Sequence, residues 1–164
     1  MTITPYILEC LRNLTILAVI AIPITAQAAT EPPAAKIVKL QGSGQFRPEK
    51  VQQWNPASVN QGLFAGNFVR TGDLSRMALL FVDQTQLSLN QNSQLQIKQV
   101  QDPQKKLDTT VRLNQGRSWT QSKQISNRLT METPSATAAI RGTDWEMEVD
   151  ENGKSTLTVL SGAV

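Results

Sequence analysis

Apolar side chains in this chain recur at every second position, in short runs that end on glycine, proline, asparagine or aspartate. That rhythm restricts it to β structure. Leu87 and Leu89 alternate with polar neighbours, as do Leu95 and Ile97 after the break at Asn90-Gln91-Asn92. Val111 and Leu113 do so before Gly116, and Leu129 and Met131 before Pro134. Trp145, Met147 and Val149 alternate against Asp144, Glu146, Glu148 and Asp150. A period of two places neighbours on opposite faces of a strand, so each run buries one face and wets the other. Met77 to Val82 is a continuous apolar run of strand length, and Ile37 to Leu40 is a short strand closed by Gly42-Ser43-Gly44. Glu151-Asn152-Gly153 is a hairpin signal, with Thr156 to Leu160 returning. The nearest approach to a helix, Ser135 to Ile140, is too short and runs into Arg141-Gly142.

Such spacing predicts an all-β fold, with short strands and hairpins stacked in a β-solenoid-like or sandwich-like single domain. Two internal echoes favour stacking. Ser88-Leu89-Asn90-Gln91-Asn92-Ser93 resembles Arg112-Leu113-Asn114-Gln115-Gly116-Arg117, and Phe81-Val82-Asp83 resembles Glu148-Val149-Asp150. The alternation is still running at Val164, where a stack would leave an open edge strand, so the domain is expected to continue beyond that residue.

Ahead of the β pattern the composition changes. Leu14 to Ile24 is an apolar run broken near its end by Pro23; Arg12 and Glu9 precede it, and Ala26-Gln27-Ala28 follows. This is the three-part layout of a secretory signal peptide, a helix spanning residues 1–28 and cleaved after Ala28. The run is shorter than the roughly 20 residues of a comfortable membrane span, so no stable span is expected after cleavage. Residues 29–35 read as a flexible Pro/Ala leader and residues 36–164 as the domain. The expected location is periplasmic or secreted, at the cell envelope.

The chain has no histidine, and its one cysteine, Cys10, lies in the signal segment. The mature part is therefore without disulfide or thiolate chemistry, and without the commonest general base and metal ligand. No cofactor and no metal are expected. The formal net charge is +3, but basic residues are scattered, and the adjacent pair Lys105-Lys106 reads as a solvated loop. Nucleic-acid binding, which needs clustered cations, is not expected.

Three stretches are more specific. The first runs from Trp54-Asn55-Pro56-Ala57 to Gly66-Asn67-Phe68-Val69-Arg70-Thr71-Gly72, the second from Ser75 to Leu89 around Asp83-Gln84-Thr85. The third joins Thr133-Pro134-Ser135-Ala136 to Ile140-Arg141-Gly142-Thr143-Asp144-Trp145. Residue by residue they read as structural devices. Gly66 and Gly72 bracket a strand, Asp83 can accept from backbone amides in a hairpin turn, and Thr133-Pro134 ends a strand. Arg141-Gly142-Thr143 is a turn whose arginine could fork onto carbonyls or onto Asp144. The alternative is that Arg141 or Arg70 grips an anionic ligand. Of Trp54, Trp119 and Trp145, alternation puts Trp145 in the core, whereas Trp54, in the polar stretch QQWNPA, is the candidate for surface recognition. Asp144, Glu146, Glu148 and Asp150 share one strand face. They read as a solvated edge, with a glycosidase pair or cation site as the competing use. A Ser/His triad is impossible, and an enzyme is not expected.

With Leu113-Asn114-Gln115-Gly116 between the second and third stretches, their order resembles the FecR domain family from about Lys36 to Val164. The resemblance implies a non-catalytic extracytoplasmic β domain used in envelope sensing. It marks Gly66, Arg70, Thr71, Asp83, Gly116, Thr133, Pro134, Arg141, Gly142 and Thr143 as family-motif positions with structural roles. The best-known family architecture places a cytoplasmic sigma-factor regulator ahead of a membrane helix, and here only a short stretch precedes the apolar run. The expected function is therefore a binding or sensing module of the bacterial envelope, the N-terminal part of a larger protein. Its partner would be an envelope protein or glycan, met through a strand edge or through Trp54. The alternative is a component of FecR-type signalling to a sigma factor through a separate membrane regulator.

Overall fold

The computed structural model describes residues 32–99, 109–122, 129–140 and 144–161. The expected signal peptide, Lys105-Lys106 and the turn Arg141-Gly142-Thr143 lie outside the described residues. Every regular element described is a strand: β1 (Ala35–Gln41), β2 (Gly44–Arg47), β3 (Asn55–Pro56), β4 (Gly62–Leu63), β5 (Phe68–Thr71), β6 (Arg76–Phe81) and β7 (Gln86–Leu89). They are followed by β8 (Gln94–Gln99), β9 (Thr109–Gln121), β10 (Leu129–Glu132), β11 (Thr137–Ile140), β12 (Asp144–Val149) and β13 (Ser155–Ser161). The all-β expectation holds, and Ser135 to Ile140, the nearest thing to a helix in the sequence, contains β11.

These strands make one sheet folded over on itself. On one side β4, β1, β6, β7, β9, β12 and β13 are neighbours; on the other β3, β2, β5, β8, β9, β10 and β11. Pairing is antiparallel except between β9 and β10, which run parallel. β9 belongs to both sides. Its first half, Thr110 to Gln115, pairs with β8, and its second half, Ser118 to Gln121, with β7. β1 with β2, β5 with β6, and β7 with β8 do the same with a short corner between them. Four bent strands thus lie side by side, and their bends line up.

The aligned bends repeat one device. A Cβ built on Gly42, Gly72 or Gly116 would lie 2.3, 2.2 or 2.3 Å from the hydroxyl oxygen of Ser75, Ser43 or Ser93 respectively. Glycine is needed there because a serine from the neighbouring bend occupies the space of a side chain. The hydroxyls replace ladder bonds lost where the chain turns. Ser43 N donates to Ser75 Oγ (2.8 Å), and Arg117 N donates to Ser93 Oγ (2.9 Å). Ser93 N donates to Thr71 Oγ1 (3.1 Å), and Thr71 Oγ1 donates to the Asn90 carbonyl. The first sequence echo belongs to this spine, since Asn92 (φ 52°) and Gly116 (φ 87°) hold equivalent left-handed positions in adjacent bends. The second echo is a pair of hairpin turns. Asp83 Oδ1 accepts from Thr85 N, and Asp150 Oδ1 from Asn152 N and Lys154 N, all at 2.9 Å.

Between the two halves lies the core. Across one inner face Ile37, Leu79, Leu87, Thr120 and Trp145 are successive cross-strand partners, all buried. Leu95 with Leu113, and Ile97 with Val111, line the other. Each such aliphatic side chain contributes about 1.5–3 kcal/mol on burial, so the alternation read in the sequence is also the main source of stability. Two boundaries differ from expectation. Ala34 and Ala35 are buried and Ala35 begins β1, so the sheet starts inside the stretch read as a flexible leader. Gly116 does not end a strand: β9 continues through it, because Ser93 supplies the bonds that carry the chain round.

Candidate functional site

The outer face of the β2–β5–β8–β9 side carries polar side chains in rows perpendicular to the strands. Gln45, Arg70, Gln94 and Gln115 are successive partners in one row, and Arg47, Phe68, Gln96 and Arg112 in the next. Alternation explains most of the rows: Val69, Leu95 and Leu113 point inward, so Phe68, Arg70, Gln94, Gln96 and Arg112 point out, while Gln115 is exposed where the alternation of β9 breaks. An open groove of about 820 Å³ is lined by the first row, Gln45, Arg70, Gln94 and Gln115, together with the adjoining bends at Ser43, Gly72 and Ser93; the second row lies outside it.

Trp54 immediately precedes β3 and is half-buried beside these rows. The Arg70 guanidinium lies 4.2 Å from the centroid of its ring. Arg47 lies 4.1 Å from the Phe68 ring and 5.2 Å from Trp54. Such stacking holds a guanidinium flat while its N–H edges stay open for bonding. Arg70 Nε donates to Gln45 Oε1 at 2.8 Å, and Arg47 Nη1 donates to the Val51 carbonyl at 3.2 Å. Neither arginine has a carboxylate partner among the described residues. Arg112 also lacks one, and its Nε is buried with no hydrogen-bond partner. Two carboxylates meet the second row: Glu49 accepts from Gln96 Nε2 at 3.3 Å, and Glu132, the register partner of Arg112, is paired with Lys98 at 2.9 Å.

Trp54 is therefore no bare platform; it is the packing surface that orients Arg70. Arg70, marked by the sequence motif, and Trp54, marked by its polar surroundings, come together. Arg47 and Phe68 complete the cluster, and the sequence reading missed both. An aromatic at an outward position of an alternating strand was the available signal for Phe68.

Of the other motif residues, those described sit in turns and bends. Gly66 has φ 82° and donates its N–H to the Ile97 carbonyl (2.7 Å). Asp83 is buried in its turn, where its second carboxylate oxygen also accepts from Thr109 Oγ1 at 3.4 Å. Thr133 closes the turn before β11, its N–H donating to the Ala136 carbonyl and its hydroxyl accepting from Ala136 N. Pro134 is exposed in that turn, and a Cβ on Gly153 would contact it at 3.5 Å.

The acidic stripe is occupied by internal partners. Arg117 Nη2 meets Glu148 at 2.9 Å and its Nε lies 3.6 Å from Glu146, while Gln121 donates to Asp144 (3.1 Å) and Asp150 caps its turn. The hydrogen bond Arg117 donates to Glu148, then the charges of Glu148 and Glu146, raise the Arg117 pKa above its ordinary value. Among the described residues no group of three or more acidic, Cys or His side chains could hold a metal ion. Trp145 is buried in the core, and Trp119, half-buried on the outer face of the β7–β9–β12 side, lines a small groove with Lys39, Arg76 and Ser88.

No curated protein and no solved structure matches the chain. A family profile described as FecR protein matches residues 67–164, more than half of the 164. Phe68, Arg70, Gln94, Gln96 and Arg112 lie inside the match, whereas Gln45, Arg47 and Trp54 precede it. The segment from Asn67 onward holds most of the folded sheet, including three of its four bends, and on that match the chain belongs to the FecR family, a regulatory family involved in transmembrane signalling.

Proposed function

We propose that this chain is a non-catalytic sensing module of the bacterial envelope, exported by residues 1–28 and acting as the binding component of a FecR-type signalling route. The observation that carries it is the pair Arg47 and Arg70, held against Trp54 and Phe68 with no carboxylate partner among the described residues. Guanidinium groups fixed on an open face with N–H edges to spare are suited to receiving a partner. The carboxylates that might have served hydrolysis are tied to Arg117 and Gln121, which favours binding over catalysis. The family match favours a signalling output.

The test is complementation. In a host lacking this gene, the wild-type chain should restore the transcriptional response of the genes it controls and should fractionate with the envelope. R47Q/R70Q should reach the same compartment at the same level and fail to restore the response, while E146Q should restore it. A cytoplasmic wild-type chain, or a fully active R47Q/R70Q, would overturn the reading.

A further inference from the structure

The arginine face has a chemistry more specific than a place for a partner. Resting on the reading above, we infer that it binds an acidic polysaccharide, with uronate carboxylates seated on Arg70 and Arg47 and sugar hydroxyls on the glutamine row. Arg70 spends its Nε on Gln45, which leaves both terminal amino groups to fork a carboxylate. Arg47 spends one terminal nitrogen on backbone carbonyls and keeps the other. Arg112, two strands from Phe68 in the same row, is a third cation beside the face, with its Nε buried and Glu132 as its register partner.

The amides between these cations select the class of anion. Each of Gln45, Gln94 and Gln115 offers a donor and an acceptor, which is what a sugar hydroxyl requires. Strands lie about 4.8 Å apart, so the row from Gln45 to Gln115 spans roughly 14 Å and presents one polar side chain at each step. That step is close to the length of one sugar ring along a polysaccharide. The groove between the first row and the bends touches Gln45, Arg70, Gln94 and Gln115 in turn, across the strands, which suits a chain laid along that row with Arg47 beside it. An acidic peptide would be read along a strand edge through its backbone, and β2, β5 and β8 have no free edge because each is paired on both sides. The first row holds no carboxylate; Glu49 meets the second row at Gln96, and Glu132 ends it as the register partner of Arg112, paired with Lys98.

Titration of the purified exported chain with polygalacturonate, by calorimetry, tests this. Binding should appear, weaken steadily with added salt, and be absent with neutral dextran. R70Q should weaken it about tenfold, the scale of one lost charge-assisted bond. R70K, which keeps the charge and loses the fork, should fall between, and E146Q on the opposite side should bind as wild type. Circular dichroism of R70Q identical to wild type separates lost binding from lost fold. Equal binding of poly-glutamate would overturn the choice of a glycan, and binding by R70Q at wild-type strength would overturn the site. If wild type ignores polygalacturonate while R47Q/R70Q still fails in complementation, the ligand class is wrong and the sensing face stands.

Discussion

Thr120 and Trp145 face each other across β9 and β12, both wholly buried, and each hides a polar atom with no hydrogen-bond partner: the threonine hydroxyl and the indole N–H. An unpaired buried hydroxyl carries a desolvation cost that an isosteric methyl does not. Thr120→Val should therefore stabilise the fold by about 1 kcal/mol, read as a rise in thermal midpoint. A fall would show that a buried water satisfies the hydroxyl. At this scale the sequence was legible where a residue's fate depends on its immediate neighbours. Trp145 alternates with carboxylates and is in the core; Asp83 sits before Thr85 and accepts its amide. Trp54 was legible only in half. That it lies near the surface followed from QQWNPA, but its cover by Arg70 comes from strand pairing between β2 and β5, which no local pattern encodes.

β9 shows where element boundaries escape a sequence. Its inward positions are odd-numbered up to Leu113 and even-numbered from Ser118, so the alternation breaks between them and reads as two strands with a turn at Gly116. What joins them is Ser93 on the neighbouring bend, whose hydroxyl accepts from Arg117 N and donates to the Arg117 carbonyl. Gly116→Ala meets two obstacles at once. The φ of 87° disfavours any side chain, and the new Cβ would lie 2.5 Å from the Ser93 Cα, which is backbone and cannot rotate away. The expected loss is more than about 2 kcal/mol, measured by urea unfolding, with amide exchange accelerating at Ser93 and Arg117. A near-neutral Gly116→Ala would mean the bends are not held by this spine. β13 has the opposite character. Its alternation was plain, yet Leu157 and Val159 remain partly exposed, and among the described residues it pairs with β12 alone.

Because β9 is a member of both halves, neither half has a core without it. Leu113 and Val111 face Leu95 and Ile97 on one side, while Ser118 and Thr120 face Leu89 and Leu87 on the other. The apolar side chains of both halves form one cluster, from Ile37 and Leu79 through Met131 to Trp145. Separating the halves would expose both inner faces, at about 25 cal/mol for each Å² of apolar surface, with no second core to retain either. The surface ion pairs cannot substitute for that cluster. Lys98–Glu132 and Arg117–Glu148 are both substantially exposed, where such pairs add little. The molecule should therefore unfold in a single step. Far-ultraviolet circular dichroism follows the strands, and tryptophan fluorescence follows Trp145 in the core together with Trp54 and Trp119 on the two outer faces. The two should give one midpoint in urea, and that midpoint should move little between low and high salt. An earlier fluorescence change would mean that one half can open while the other stays folded. The arginine face would then sit on an independent half, and β9 would be a hinge instead of the strand that binds the two together.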